Sequence, residues 1–138
     1  MITELRRYRI RDGKMASWVE FFREAARRNE AGGSQVEFVG VDPETGTFIW
    51  LRTYADEADR EHRKAAFYGA DWWSENEAFA MDHVVEYDVT FLETAMHREG
   101  GRLTSVPRPA AGERPGSRPA DDPPDGWISS TRRTFVRE

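Results

Sequence analysis

The stretch "FIWLRTYADEADREHRKAAFYGADWW", Phe48 to Trp73, changes character twice. With Thr47 in front, it opens as "TFIWLRTY", an apolar run of the kind found in strands covered on both faces. From Asp56 the pattern becomes charged and helical. Asp56 suits an N-cap, Glu57 and Asp59 suit the positive end of a helix dipole, and Gly69 is the natural stop. Ala58, His62, Ala65, Ala66 and Gly69 recur at helical spacing, which predicts a face of small residues lying close against a sheet.

Outward from that junction, the same two periods alternate. "ITELRRYRI", residues 2–10, alternates as a strand, with Ile2, Glu4, Arg6, Tyr8 and Ile10 on one face. After "RDG", Met15, Trp18, Val19, Phe22, Ala25 and Ala26 form one helical stripe that should end near Gly32 or Gly33. "SQVEFVGV", the turn "DPETG" and "TFIWLRTY" predict a β-hairpin. "DWWSENEAFAMDH" predicts a short irregular helix, and "VVEYDVTFLETA" a last strand with Val85, Tyr87, Val89 and Phe91 on one face. The order β-α-β-β-α-β, joined by right-handed crossovers, gives a ferredoxin-like α+β protomer: an antiparallel sheet with both main helices on one face. The other face still carries apolar side chains. Exposed apolar sheet faces meet partners, so a homodimer closing into a dimeric α/β barrel is expected.

Composition sets the outer limits. The chain has 138 residues and no cysteine, which excludes disulfides, thiol catalysis and cysteine-ligated metals. Six of the seven prolines lie after residue 100. Residues 98–138 carry eight Arg and six Asp/Glu; the whole chain is −5, so residues 1–97 carry −7. An acidic domain repels phosphate backbones, so no nucleic-acid partner is expected. No apolar run reaches signal-peptide or membrane-span length, so no membrane association and a cytoplasmic location are expected. The reading divides the chain into a domain of residues 1–97 and a Pro/Gly/Arg-rich extension of residues 98–138. "WISSTRRTFVRE" regains β-branched and aromatic residues, which makes 127–136 a candidate docking segment.

Three stretches resemble the NIPSNAP family of the dimeric α/β barrel superfamily: "ELRRYRIRDGK", "FIWLRTYADEADRE" and "AFYGADWW". The likeness covers roughly residues 2–95 and implies a ferredoxin-like protomer and a homodimer. Relatives in the wider superfamily include cofactor-free monooxygenases, polyketide cyclases, heme enzymes and small-molecule isomerases, and fold does not choose among them. The resemblance therefore implies a small-molecule-binding dimer. It is either a cofactor-independent cyclase, isomerase or monooxygenase of specialised metabolism acting on an aromatic or polyketide-like substrate, or a non-catalytic binding or scaffold protein.

Several residue types could carry chemistry. His62, placed with the alanines against the sheet, could act as a general base toward a phenol or enol. Tyr8 could orient the substrate and Arg52 could steady its anion. Trp50, Tyr54, Tyr68, Trp72 and Trp73 could line a pocket for a flat ligand. Against these readings, the aromatics equally suit a core and an interface. Arg6 and Arg52 equally suit pairing with Glu4, Glu37 or Glu86 across the sheet, and that is the stronger expectation. His83, at a strand start, is expected to be exposed. The three histidines, His62, His83 and His97, have no ligand spacing, so no metal and no cofactor are expected.

Overall fold

The central strands are β1 (Ile2–Ile10) and β3 (Thr47–Tyr54) in a computed structural model that describes residues 1–107. With β2 (Gln35–Asp42) and β4 (Val84–Glu93) they form a four-stranded antiparallel sheet in the order β2-β3-β1-β4. This is the ferredoxin-like arrangement expected from the element order. Three helices complete it: α1 (Met15–Ala31), α2 (Glu57–Tyr68) and α3 (Asp71–His83). A small hairpin of β5 (Met96–Glu99) and β6 (Arg102–Ser105) follows.

Local chemistry accounts for most of the boundaries. The α1 stripe buries Trp18, Phe22, Ala25 and Asn29, and Gly33 follows it at φ 95°, a conformation glycine takes without strain. The β2–β3 turn is closed by Asp42, whose side chain accepts the Glu44 amide at 3.0 Å while Gly46 turns at φ 70°. Asp56 caps α2 by accepting the Asp59 amide at 2.8 Å.

The core lies between the helices and one face of the sheet. Tyr8, Phe48 and Trp50 rise from β1 and β3 to meet Trp18 and Phe22 of α1, with Trp18 edge-on to both Tyr8 and Phe48. Such edge contacts add to burial. On the opposite face, register sets Leu5 against Leu51 and Arg7 against Ile49. Phe38 lies over Gly40 there and is 55 % exposed, and Leu92 is exposed too. Among the described residues no helix covers this face, and Arg7–Asp88 (3.6 Å) and Arg9–Glu86 (3.5 Å) flank it.

One expectation about the helices is corrected. Helix α2 turns its small face outward: Ala58, His62, Ala65 and Ala66 are exposed, and Arg60, Lys64 and Tyr68 are buried. The physical reason lies in the charges beneath it, described below. The boundary at 97/98 falls inside a β-hairpin, because Gly100 (φ 59°) and Gly101 (φ 83°) supply the two consecutive positive φ angles that a two-residue turn requires. The segment 127–136 lies outside the described residues. Among the described residues no helix is long and apolar enough to cross a membrane.

Candidate functional site

Glu4 is the hub of a charged cluster between sheet and helices. The alternation that points Tyr8 into the core also points Glu4 and Arg6 there, and β3 places Arg52 directly across from Glu4. Glu4 is fully buried. One carboxylate oxygen accepts Arg52 Nε at 2.7 Å and Arg6 Nη1 at 3.4 Å; the other accepts Arg60 Nε at 2.7 Å. Burial would push the Glu4 carboxyl up, but the Arg52, Arg6 and Arg60 guanidiniums outweigh it and hold it well below the usual carboxylate range.

This explains the orientation of α2. A buried carboxylate costs several kcal/mol unless cations meet it, and Arg60 is the α2 side chain that does so. Lys64 and Tyr68 share its face by the i, i+4 rule. At the rim, half-buried Glu57 and Glu61 accept Arg60 Nη1 at 3.1 and 2.8 Å, and Lys64 lies 3.5 Å from Glu61.

Around the cluster stands an aromatic cage. The Arg52 guanidinium lies 4.8 Å from the Trp50 ring centre, 5.5 Å from Tyr54 and 6.0 Å from Tyr68. Arg6 donates from Nε to the Tyr8 hydroxyl at 2.9 Å. Burial pushes the Tyr8 and Tyr54 hydroxyls up, so both stay protonated at neutral pH. Arg52 Nη1 donates to Asn29 Oδ1 at 2.9 Å, but Arg52 Nη2 has no hydrogen-bond acceptor among the described residues. Among the described residues, the buried cations Arg6, Arg52, Arg60 and Lys64 gather around the fully buried Glu4 carboxylate and the half-buried Glu57 and Glu61.

Two spaces adjoin the cluster, and Asn29 lines both. The inner one, among Tyr8, Trp18, Trp50, Tyr68 and Trp73, holds about 20 Å³, room for one water. The outer one is a cleft of about 290 Å³ between the end of α1 and the α2–α3 junction. Arg27, Arg28, Arg63, Phe67 and Trp72 line it, with no Asp or Glu lining it among the described residues. The partners of those arginines stand aside: Glu24 lies 2.6 Å from Arg27 and 2.7 Å from Arg28, and Asp59 lies 3.1 Å from Arg63. The Arg28 guanidinium sits 4.9 Å from the Trp72 ring centre.

The NIPSNAP family model matches residues 3–96, well over half of the chain. The chain belongs to the NIPSNAP family. Solved relatives agree in fold. A NIPSNAP domain protein from Burkholderia xenovorans is 15 % identical, with a TM-score of 0.62 over 69 % of this chain and 95 % of its own. A NIPSNAP family protein from Agrobacterium tumefaciens is 24 % identical, with a TM-score of 0.60 over 66 % of this chain and 82 % of its own. A second Burkholderia protein, described as NIPSNAP-like, is 19 % identical with a TM-score of 0.58 and covers 87 % of this chain and 97 % of its own. At these identities the likeness establishes the shared ferredoxin-like fold. No curated protein matches the chain.

Within this NIPSNAP domain the residues singled out from sequence separate. Tyr8, Trp50, Arg52, Tyr54 and Tyr68 gather at the Glu4 cluster, and Trp73 lines the inner space beside it. Trp72 faces the outer cleft. His62 joins neither: it is on the solvent side of α2, which removes it from the expected place against the sheet. His83 is buried, contrary to expectation, because Ser17 and the Phe79 carbonyl satisfy both of its ring nitrogens. The expected pairing of Arg6 and Arg52 with Glu4 is present. Sequence reading passed over Arg60, Lys64, Asn29, Arg28 and Arg63. The one available signal was Glu4 and Arg6 interrupting an apolar alternation. Among the described residues no three His, Asp or Glu side chains gather as a metal site.

Proposed function

We propose that this NIPSNAP-family protein is a homodimer that binds a small planar organic anion, an aromatic or polyketide-like acid, in the cleft between α1 and the α2–α3 junction. The observation that carries the reading is the lining of that cleft: three guanidiniums and two aromatic rings, without a carboxylate among the described residues. Its volume of about 290 Å³ sits at the lower edge of the small-molecule range. Trp72 and Phe67 supply flat surfaces, and Arg28 supplies charge beside the Trp72 ring. Asn29 connects the cleft to the buried cluster, accepting from Arg52 Nη1 at 2.9 Å. The reading is of a binding protein. Of the residues expected to be catalytic, His62 is exposed, Tyr8 accepts from Arg6, and Arg52 is engaged by Glu4 and Asn29. The homodimer reading is supported by the sheet face opposite the helices, where Leu5, Ile49, Leu51, Phe38 and Leu92 want cover.

Tryptophan fluorescence titration with 2-naphthoate, against the neutral isostere 2-naphthalenemethanol, tests the cleft. The anion should bind more tightly, and Arg28→Met should weaken it roughly 10- to 100-fold, the worth of a charge-assisted hydrogen bond. Trp72→Leu should weaken both ligands. Equal affinity for acid and alcohol, or an unchanged Arg28→Met, would sink the proposal. A second reading, a scaffold dimer without a ligand, draws support from the inner space, which side chains fill to within one water. It predicts no saturable change with either compound.

A further inference from the structure

His83 closes α3 and is 3 % exposed, outside the site described above. Its Nδ1 lies 2.8 Å from the Phe79 carbonyl oxygen. A carbonyl only accepts, so Nδ1 carries the hydrogen, and the neutral ring keeps its lone pair at Nε2. Ser17 Oγ lies 2.6 Å from that Nε2. The neutral ring therefore takes the Ser17 hydroxyl hydrogen in preference to the Lys14 carbonyl, which is 3.3 Å from Ser17 Oγ. Asp82 Oδ2 stands 3.9 Å from Nδ1, beyond hydrogen-bond reach, and pairs with Lys14 at 2.8 Å. The group that orients the imidazole is thus the Phe79 carbonyl. A nucleophile, a base with its lone pair on the nucleophile, and a third group fixing the base make up the general pattern of an activated hydroxyl.

Two further observations concern the surroundings. Ser17 is an exposed residue and His83 a buried one, so the dyad runs from the surface inward. Ser17 also lies in the first turn of α1, a helix with no side-chain cap and no acidic residue in that turn. First-turn amides have no intrahelical acceptor, so an oxyanion forming beside Ser17 would meet the positive end of α1. Phe79, 43 % exposed, stacks on His83 at 4.3 Å and reaches Phe21 at 4.9 Å, which gives an apolar shelf beside the dyad.

We propose that Ser17 and His83 form a nucleophile–base dyad that accepts acyl groups from small activated esters. Ser17 Oγ bonds to the ester carbonyl carbon as its proton passes to His83 Nε2. The tetrahedral intermediate collapses, the bond to the leaving oxygen breaks, and that oxygen takes the proton from His83. Water then attacks the acyl-serine with the same base, and releases a carboxylic acid and free Ser17. No oxidant, metal or cofactor enters the balance.

A fluorophosphonate probe, read by peptide mass spectrometry on the full chain, tests the dyad with an internal control. Ser74 on α3 is also exposed, but among the described residues its hydroxyl meets only the Ala70 carbonyl, at 3.4 Å. Ser17 should be labelled at least ~100-fold faster than Ser74, the lower range for general-base assistance. Ser17→Ala should abolish the adduct and the hydrolysis of 4-nitrophenyl acetate. His83→Gln should slow Ser17 labelling by the same factor while circular dichroism stays native. Should His83→Gln fail to fold, the ratio of Ser17 to Ser74 in the parent still decides. A ratio near one, an undiminished Ser17 adduct in folded His83→Gln, or unchanged hydrolysis in Ser17→Ala would each overturn the proposal.

Discussion

Replacing Glu4 by glutamine keeps size and shape at the centre of the buried cluster and removes one charge. In the parent, the carboxylate accepts Arg52, Arg60 and Arg6 at 2.7, 2.7 and 3.4 Å, with the Glu4 and Arg6 side chains at 0 % exposure. Glutamine offers one acceptor oxygen and turns an NH₂ toward a guanidinium. Three buried guanidiniums then lack their shared counter-ion, and removing one partner of a buried ion pair costs about 3–5 kcal/mol. For a domain of this size that lowers Tm by more than about 12 °C. Urea unfolding followed by tryptophan fluorescence measures the change. The same variant also tests the pH dependence. The folded carboxyl titrates below its unfolded value, so its stabilisation is complete above about pH 4.3 and is lost as pH falls toward the folded pKa. On acidification below about pH 4, the parent should therefore lose stability more steeply than Glu4→Gln. A variant within ~0.5 kcal/mol of the parent, with the same acid limb, would show that the three arginines do not depend on Glu4.

Three shorter expectations accompany it. Trp18→Ala, at a residue 2 % exposed and in edge contact with Tyr8 and Phe48, should destabilise by roughly 3–5 kcal/mol; unchanged melting would mean that the α1 stripe does not seat the core. His62→Ala, on the solvent side of α2, should stay within ~0.5 kcal/mol of the parent in urea and bind 2-naphthoate unchanged. Light scattering at micromolar concentration should give about twice the 15.9 kDa chain mass; a stable monomer would leave the helix-free face without its proposed partner.

What could be read in advance was whatever local residues decide. Strand order followed from the alternation of periods, the β2–β3 turn from Pro43 and Gly46, and the start of α2 from Asp56, each fixed within a few positions. The inward face of α2 was misread because the rule applied there, small and apolar residues inside, prices charges by themselves. Arg60 is buried on account of Glu4, 56 residues earlier in the chain, and no window around α2 contains that partner. Tyr8, Trp50, Arg52 and Tyr54 stand out as aromatic and basic residues on strands and gather because β1 and β3 pair, while Tyr68 joins them from α2, on the face that Arg60 turns inward. The cleft residues Arg28 and Arg63 gave no such sign: on their own helices they look like ordinary members of i, i+4 surface pairs. His83 misled in the same way, since Ser17, which satisfies it, stands 66 positions away.

The burial of Arg60 against Glu4 also bears on how long the native state lasts. Stripping water from that pair before the sheet and helix have closed around it would be costly, so the contact should form on the native side of the folding barrier. Arg60→Met would then leave the refolding rate almost unchanged and accelerate unfolding by nearly the whole of its equilibrium cost, a φ-value near zero. A chevron with equal shifts in both arms would place the contact in the folding nucleus instead. With late formation, the ion cluster acts as a latch: it adds little to the speed of assembly and sets much of the lifetime of the assembled domain.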